Sequence, residues 1–461
     1  MTDKHSPPPN NTDGEFTDPL YADIPKQCVM FGTGSDRMAW GRIYDGCIVA
    51  IGPNKILGSV LKGSKIRDND ALGAYIHADG DRKITFEGIL EFAIGPLPKN
   101  AAGVDLWECL YHFDNIILDA HYTKAPLVRS VRIEYQFNWG PMTNTHEYVC
   151  HKHICIPDSG ISIEIVQEAE QNHILDSEFR EKFLTYMIRS DTGIDLNNMT
   201  KYVWQLNNFL TLFVGSPVYP QRLTMTDVDD VKFLYYPRSM FDLKRRIPPT
   251  SFARMVDYDE LIHERFECLL RRWFLLYRKV GRPISEYFES VRGDYRHRDG
   301  LYRARFIDHT NTIQRIYRKT DKYTKHLYVP LLDAMNIYDG VYSPDPMLIT
   351  RMNSTRNHYV HGDLKTPGPN VATSDFELDK FSNIAAMLIE GKLLNMIMGD
   401  DLDLLHTILE KIHRAHMESI MDVPGFIDRG GPEPGESNTL PTYALTTDLS
   451  SSSPHGGHNS K

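Results

Sequence analysis

Arg356, Asn357 and His361 form a compact group of chemically capable side chains in this chain of 461 residues, inside the run Arg351-Met352-Asn353-Ser354-Thr355-Arg356-Asn357-His358-Tyr359-Val360-His361-Gly362-Asp363. A five-residue helical step turns about 500°, which leaves Arg356 and His361 roughly 140° apart, while Asn357 and His361 share a face. Where such a helix starts or frays, both ends of the motif reach one phosphate. The cation neutralises a phosphate oxygen, the amide orients, and the imidazole moves a proton near neutral pH. Residue types and spacing therefore point to phosphodiester chemistry. A second register pairs Arg351 with His358, but Met352 follows Arg351, whereas Asn357 supplies a polar residue after Arg356.

The elements that must carry this motif are helical. Ile262, Phe266, Leu269, Trp273, Leu276 and Val280 recur on one helical face, with Arg265, Arg271, Arg272 and Arg278 mostly off it. A second helix is expected over 284–291 and a third over 302–319. Ser374-Asp-Phe-Glu377 is a capping box that opens a helix through Met398, with Gly391 inside it at a cost of about 1 kcal/mol relative to Ala. A last helix spans 401–417, with His406, His413 and His416 read as surface residues. Between Glu260 and Pro330 there are 16 Lys/Arg against 9 Asp/Glu, a local balance of 16 − 9 = +7 in a chain whose net charge is −10. A solvated helix surface is the commoner reading of such a run; beside a phosphodiester motif, Arg315, Arg318 and Lys319 on the third helix are the residues expected to contact an RNA backbone.

The first half reads differently. Short apolar runs separated by turns fill 27–157, and in 131–137 Val131, Ile133, Tyr135 and Phe137 alternate with Arg132, Glu134 and Gln136, the period of a half-buried strand. The expected fold class is α+β, an antiparallel β-rich, sandwich-like N-terminal domain followed by an all-α domain. The expected boundaries are a disordered leader at 1–20, the β-rich domain at 21–225, the helical domain at 250–424 and a disordered tail at 425–461. Residues 179–189 and 200–215 carry helical spacing, the latter ended by Gly215-Ser-Pro217.

An apolar content of 41% and a charged content of 24% are ordinary for a globular protein and exclude a fibrous or low-complexity chain. No apolar stretch is long enough to span a bilayer and no signal region opens the sequence, so the expected location is cytoplasmic. Six irregularly spaced cysteines imply reduced thiols rather than a disulfide framework. Cys150-His-Lys-His-Ile-Cys155 has metal-ligand types, but on a strand at most His151, His153 and Cys155 share a face, short of a structural zinc set. No metal and no cofactor is expected. Gly32-Thr-Gly34 lacks the third glycine of a dinucleotide loop and reads as a turn.

The Arg-Asn-x-x-x-His run behind a β-rich first half resembles the HEPN ribonucleases, and specifically the ApeA-type anti-phage proteins. Phe209-Leu-Thr-Leu-Phe-Val-Gly-Ser-Pro-Val218 also looks like the end of the ApeA-type N-terminal domain. The resemblance assigns the catalytic motif to Arg356, Asn357 and His361. It implies metal-independent RNA cleavage by 2′-hydroxyl attack, a homodimer with facing motif helices, an unknown phage trigger, and abortive infection as the setting. One departure is that ApeA-type proteins tend to carry a Glu where this chain has Gln314, with Asp308 six residues earlier as a substitute acid. The alternative is a catalytically inactive HEPN-type module that binds RNA or a partner protein.

Overall fold

The computed structural model describes the chain between residues 27 and 421 apart from breaks, of which the longer are 32–37, 54–70, 98–105, 136–148, 172–179, 241–255, 257–263, 297–301, 321–325 and 362–366. The expected leader and tail, the Gly32–Gly34 turn, Phe137 and Ile262 lie outside the described residues.

Strands come first: β1 (Gln27–Phe31), β2 (Met38–Tyr44), β3 (Cys47–Pro53), β4 (Ala71–His77), β5 (Gly80–Glu87), β6 (Leu90–Pro96) and β7 (Leu106–His112). They continue with β8 (Asn115–Leu118), β9 (Leu127–Tyr135), β10 (Val149–Ile156), β11 (Ile161–Gln171) and β12 (Arg180–Asp195). Helix α1 (Leu196–Val214) precedes the last two described strands, β13 (Pro220–Asp227) and β14 (Lys232–Pro237). The rest is helical: α2 (Phe266–Arg296), α3 (Tyr302–Thr320), α4 (Tyr328–Asn336), α5 (Pro346–His361), α6 (Asp375–Met398) and α7 (Leu402–Met421). The α+β order is therefore the one expected.

All 14 strands join one antiparallel ladder in the order β10-β11-β12-β9-β13-β14-β8-β5-β4-β1-β2-β3-β7-β6. Period-2 patterning decides which face of each strand is covered. In β9, Val131, Ile133 and Tyr135 are buried and the residues between them are partly open. The expected helix over 179–189 is overturned, because from Arg180 the chain is strand β12. It pairs with β11 from Gln171↔Arg180 to Ile161↔Ser190 and with β9 on its other side. Two neighbouring strands satisfy its backbone groups, a stronger constraint than its mixed apolar spacing.

Helix α1 is the joint of the molecule. Asp195 caps it by accepting a bond from the Asn198 N–H at 3.0 Å, and Gly215 ends it at φ 75°, a conformation that favours glycine. Sheet residues of β9 and β12 cover one side of α1 and α2 covers another, so Phe209 and Phe213 are fully buried. Trp273 of α2 donates its indole N–H to the Gln205 carbonyl at 2.8 Å. Arg292 donates to Asn208 at 2.7 Å and lies 5.0 Å over the Trp204 ring. One hydrophobic core runs without interruption from the strands into the helices.

The two helices expected over 262–280 and 284–291 are one kinked element. Val280, at φ −130° and ψ 22°, breaks the regular geometry three residues before Pro283, which lacks the N–H an unbroken helix would use. In α6 the Ser374 cap forms as expected, its hydroxyl accepting from the Glu377 N–H at 3.2 Å.

Gly391 turns out to be required rather than tolerated. A Cβ there would stand 2.5 Å from Tyr338 Cε2 and 2.8 Å from its hydroxyl. Tyr338 is fully buried and donates to the Met387 carbonyl at 2.6 Å, so it has little room to yield. Gly391→Ala should lower stability by about 1–3 kcal/mol despite the better helix propensity of alanine. A urea midpoint equal to or above that of the native chain would show that the ring moves aside freely.

The centre of the helical region is polar in places. His309 of α3 is hydrogen-bonded to the Ser382 carbonyl at 3.0 Å and lies 3.4 Å from the Ser290 hydroxyl. His416, expected at the surface, is buried and pairs with Glu390 at 2.9 Å, while the other Glu390 oxygen accepts from Tyr287 at 2.7 Å. Helical spacing placed His416 on α7 without showing that α6 would cover it. His413 is half-buried against Tyr342, and His406 is exposed as expected.

Burial, opposed by the Ser382 hydrogen bond, pushes His309 down from 6.5 to about 4. Between those values the unfolded chain binds a proton that the folded chain refuses. The stabilising contribution is complete above about pH 6.5 and is lost as pH falls toward 4, by on the order of 3 kcal/mol at the acid end. Urea midpoints taken from pH 7 to 4 should fall in the native chain and flatten over this window in His309→Phe. An equally steep fall in the variant would assign the acid sensitivity to other groups.

Candidate active site

Helix α5 divides its faces by side-chain chemistry. Arg351, Thr355 and Tyr359 follow at four-residue steps and face the start of α6. Arg351 pairs with Glu377 and lies 5.5 Å over the Phe381 ring. That pairing, with the cap from Ser374, holds the Glu377 carboxyl below the ordinary range. The Thr355 hydroxyl accepts from the Ala372 N–H at 2.9 Å, and Tyr359 donates to the Ala372 carbonyl at 3.0 Å. This face anchors the helix. Arg351 thus has a structural partner, and His358 is half-buried with its ring 5.1 Å from that of Tyr359.

Arg356 lies on another side, against α3. Its guanidinium donates to the side-chain amide oxygen Oδ1 of Asn311 at 3.1 Å and to Oδ1 of Asn357 at 3.2 Å. Its Nε donor is shut off from solvent with no acceptor, an arrangement that costs about 1–3 kcal/mol. Among the described residues no carboxylate stands within ion-pair distance of Arg356. Partial burial, with the positive charge of Arg318 nearby, lowers its affinity for its own proton. Other arginines of the helical region are neutralised: Arg265 by Asp401, Arg271 by Glu267, Arg305 by Asp379 at 3.2 Å and Arg315 by Glu286. Two guanidiniums kept near one another without an acid between them form a place that an anion stabilises.

Asn357 and His361 are both exposed on α5, with His361 at its last residue. No hydrogen bond joins His361 to Arg356, in keeping with their angular separation on one regular helix. The motif is therefore split, with an arginine set into the α3 groove and an imidazole projecting outward.

On α3 the stripe formed by Asp308, Asn311, Arg315 and Arg318 runs past Arg356. Arg315, Arg318 and Lys319 are exposed, as an RNA-binding role requires. Asp308 is exposed on the same stripe; partial desolvation raises its carboxyl above the usual value, with Arg315 opposing and Glu286 adding. It makes no bond to Arg356. Gln314 is buried, turned away from the exposed stripe. Asn311 holds Arg356 in place, and sequence reasoning passed it over. Its only sequence signal is its position on the Asp308–Arg315 stripe. Arg303, also missed, lies 4.4 Å over the Tyr359 ring and steadies the same helix.

No protein-family model, curated protein or solved structure matches the chain. Cys150 to Cys155 lies on β10 with a register break between Cys150 and Lys152; His153 meets Glu164 at 3.3 Å. Among the described residues no group of three metal-ligating side chains converges. No described helix is long and apolar enough to cross a membrane.

Proposed function

We propose that this protein is a metal-independent endoribonuclease of the HEPN, ApeA-like kind, acting in anti-phage abortive infection. The observation that carries the reading is Arg356, an arginine without an acidic partner among the described residues, held by Asn311 beside Arg318, on the same helix as the exposed Asn357 and His361. In this reading an RNA phosphate sits between Arg356 and Arg318. The 2′-hydroxyl attacks its own adjacent phosphorus, the 5′-oxygen leaves, and a 2′,3′-cyclic phosphate and a 5′-hydroxyl remain. Arg356 holds the non-bridging oxygens as charge builds on them. His361 moves the proton and Asn357 orients the phosphate or the imidazole.

The angular split between Arg356 and His361 supports a site completed by a second copy, the arginine of one protomer meeting the histidine of its partner. DNA lacks the 2′-nucleophile and survives. The exposed Arg318 and Lys319 hold the RNA backbone, Arg315 joining them where phosphate displaces Glu286, and the protein works in the cytoplasm on host RNA once a phage is detected. Cleavage of total cellular RNA by the purified chain in excess EDTA, with cyclic-phosphate and 5′-hydroxyl ends, is the expected result. RNA that is bound but never cut, even in cells challenged with phage, would leave the binding module as the better reading.

A further inference from the structure

We propose that Cys47 is a reactive thiolate site, activated by His112 and modified by hydroperoxides. The site lies in the sheet and is independent of the α5 motif. Strands β3 and β7 pair so that Cys47 stands directly opposite His112. Directly opposed residues of antiparallel strands bring their side chains together on one face of the sheet. Here Cys47 Sγ lies 2.9 Å from His112 Nδ1. Transfer of the thiol proton to the ring makes a thiolate–imidazolium pair, an arrangement that brings a cysteine into the reactive range at neutral pH.

The other described cysteines serve as internal comparisons. Cys28 is buried, and desolvation pushes its thiol up to about 12, which makes it inert. Cys155 and Cys268 are exposed, and no imidazole lies within hydrogen-bond distance of either among the described residues. Cys47 and His112 are both half-buried, open enough for a small oxidant and sheltered enough for the pair to persist. A neutral hydrogen bond between thiol and ring would account for the distance by itself. The two cases differ in reactivity, because only the thiolate is a nucleophile.

The reaction balances with a hydroperoxide as the oxidant. The Cys47 thiolate attacks the terminal peroxide oxygen, an S–O bond forms and the O–O bond breaks. Sulfur is oxidised by two electrons to a sulfenic acid, and the peroxide is reduced to water or an alcohol. The leaving oxygen takes the proton held by His112.

The test uses the full-length chain at pH 7. It is treated with limiting iodoacetamide, and separately with hydrogen peroxide in the presence of dimedone, and each cysteine peptide is then quantified by mass spectrometry. Cys47 should label roughly tenfold or more faster than Cys155 and Cys268 with both reagents, and His112→Phe should bring it down to or below their rate. Protection of Cys28 reports that the sheet is intact in the variant. Labelling of Cys47 no faster than that of Cys155 and Cys268 in the native chain overturns the proposal without recourse to any variant. So does a Cys47 rate unchanged by His112→Phe with Cys28 still protected.

Discussion

His361→Ala should lower RNA cleavage by roughly 10²–10⁴ while leaving RNA affinity within about twofold. His361 is exposed at the end of α5, so its removal should not disturb folding. Arg356→Ala should cost about 10²–10³ in rate and, unlike the histidine change, reduce the salt dependence of RNA binding by about one phosphate contact. Single-turnover cleavage and salt-titrated binding on the same preparations separate the two effects. Mixing the two inactive variants and allowing subunit exchange should restore part of the activity if the site pairs the arginine of one protomer with the histidine of the other. Full cleavage by His361→Ala would remove the histidine from the mechanism, and no recovery on mixing would remove the shared site.

The second large effect is structural. Trp273→Ala should destabilise the protein by about 3–5 kcal/mol. The indole is fully buried, with rings of Phe209, Tyr277 and Phe288 at 5.9, 5.2 and 6.1 Å. Its N–H is satisfied by the Gln205 carbonyl inside α1. Truncation opens a cavity where the sheet-bearing helix meets the helical region and removes the indole's bond to that carbonyl, which keeps its helical donor. Trp273→Phe keeps most of the apolar volume and should lose about 1–2 kcal/mol, from the smaller ring and the missing hydrogen bond. Urea unfolding followed by circular dichroism reads both. A loss below about 1 kcal/mol for the alanine variant would show that α1 and α2 are held together by other contacts.

The features legible in the sequence were those fixed by nearest neighbours along the chain. The alternation in 131–135, the Ser374–Glu377 cap, the stop at Gly215 and the apolar stripe Phe266, Leu269, Trp273, Leu276, Val280 are all local, and each stands where its period or cap placed it. The motif residues could be named from type and spacing alone. Where several elements compete for a residue, local pattern was a poor guide. Residues from Arg180 read as helix until β9 and β11 supplied hydrogen bonds on both sides. Gly391 looked like a weak helix position until Tyr338 was found against its α-carbon, and His416 looked solvated until Glu390 met it.

The candidate site divides in the same way. Sequence by itself determined that a cation, an amide and an imidazole lie within a turn and a half of one helix. Only the tertiary structure decided that Arg351 is tied to Glu377, that Arg356 is held by Asn311 with no acid beside it among the described residues, and that Gln314 is buried. Those outcomes depend on which helices pack side by side. Packing is set by burying apolar area between segments far apart in the chain, a quantity that no local spacing encodes.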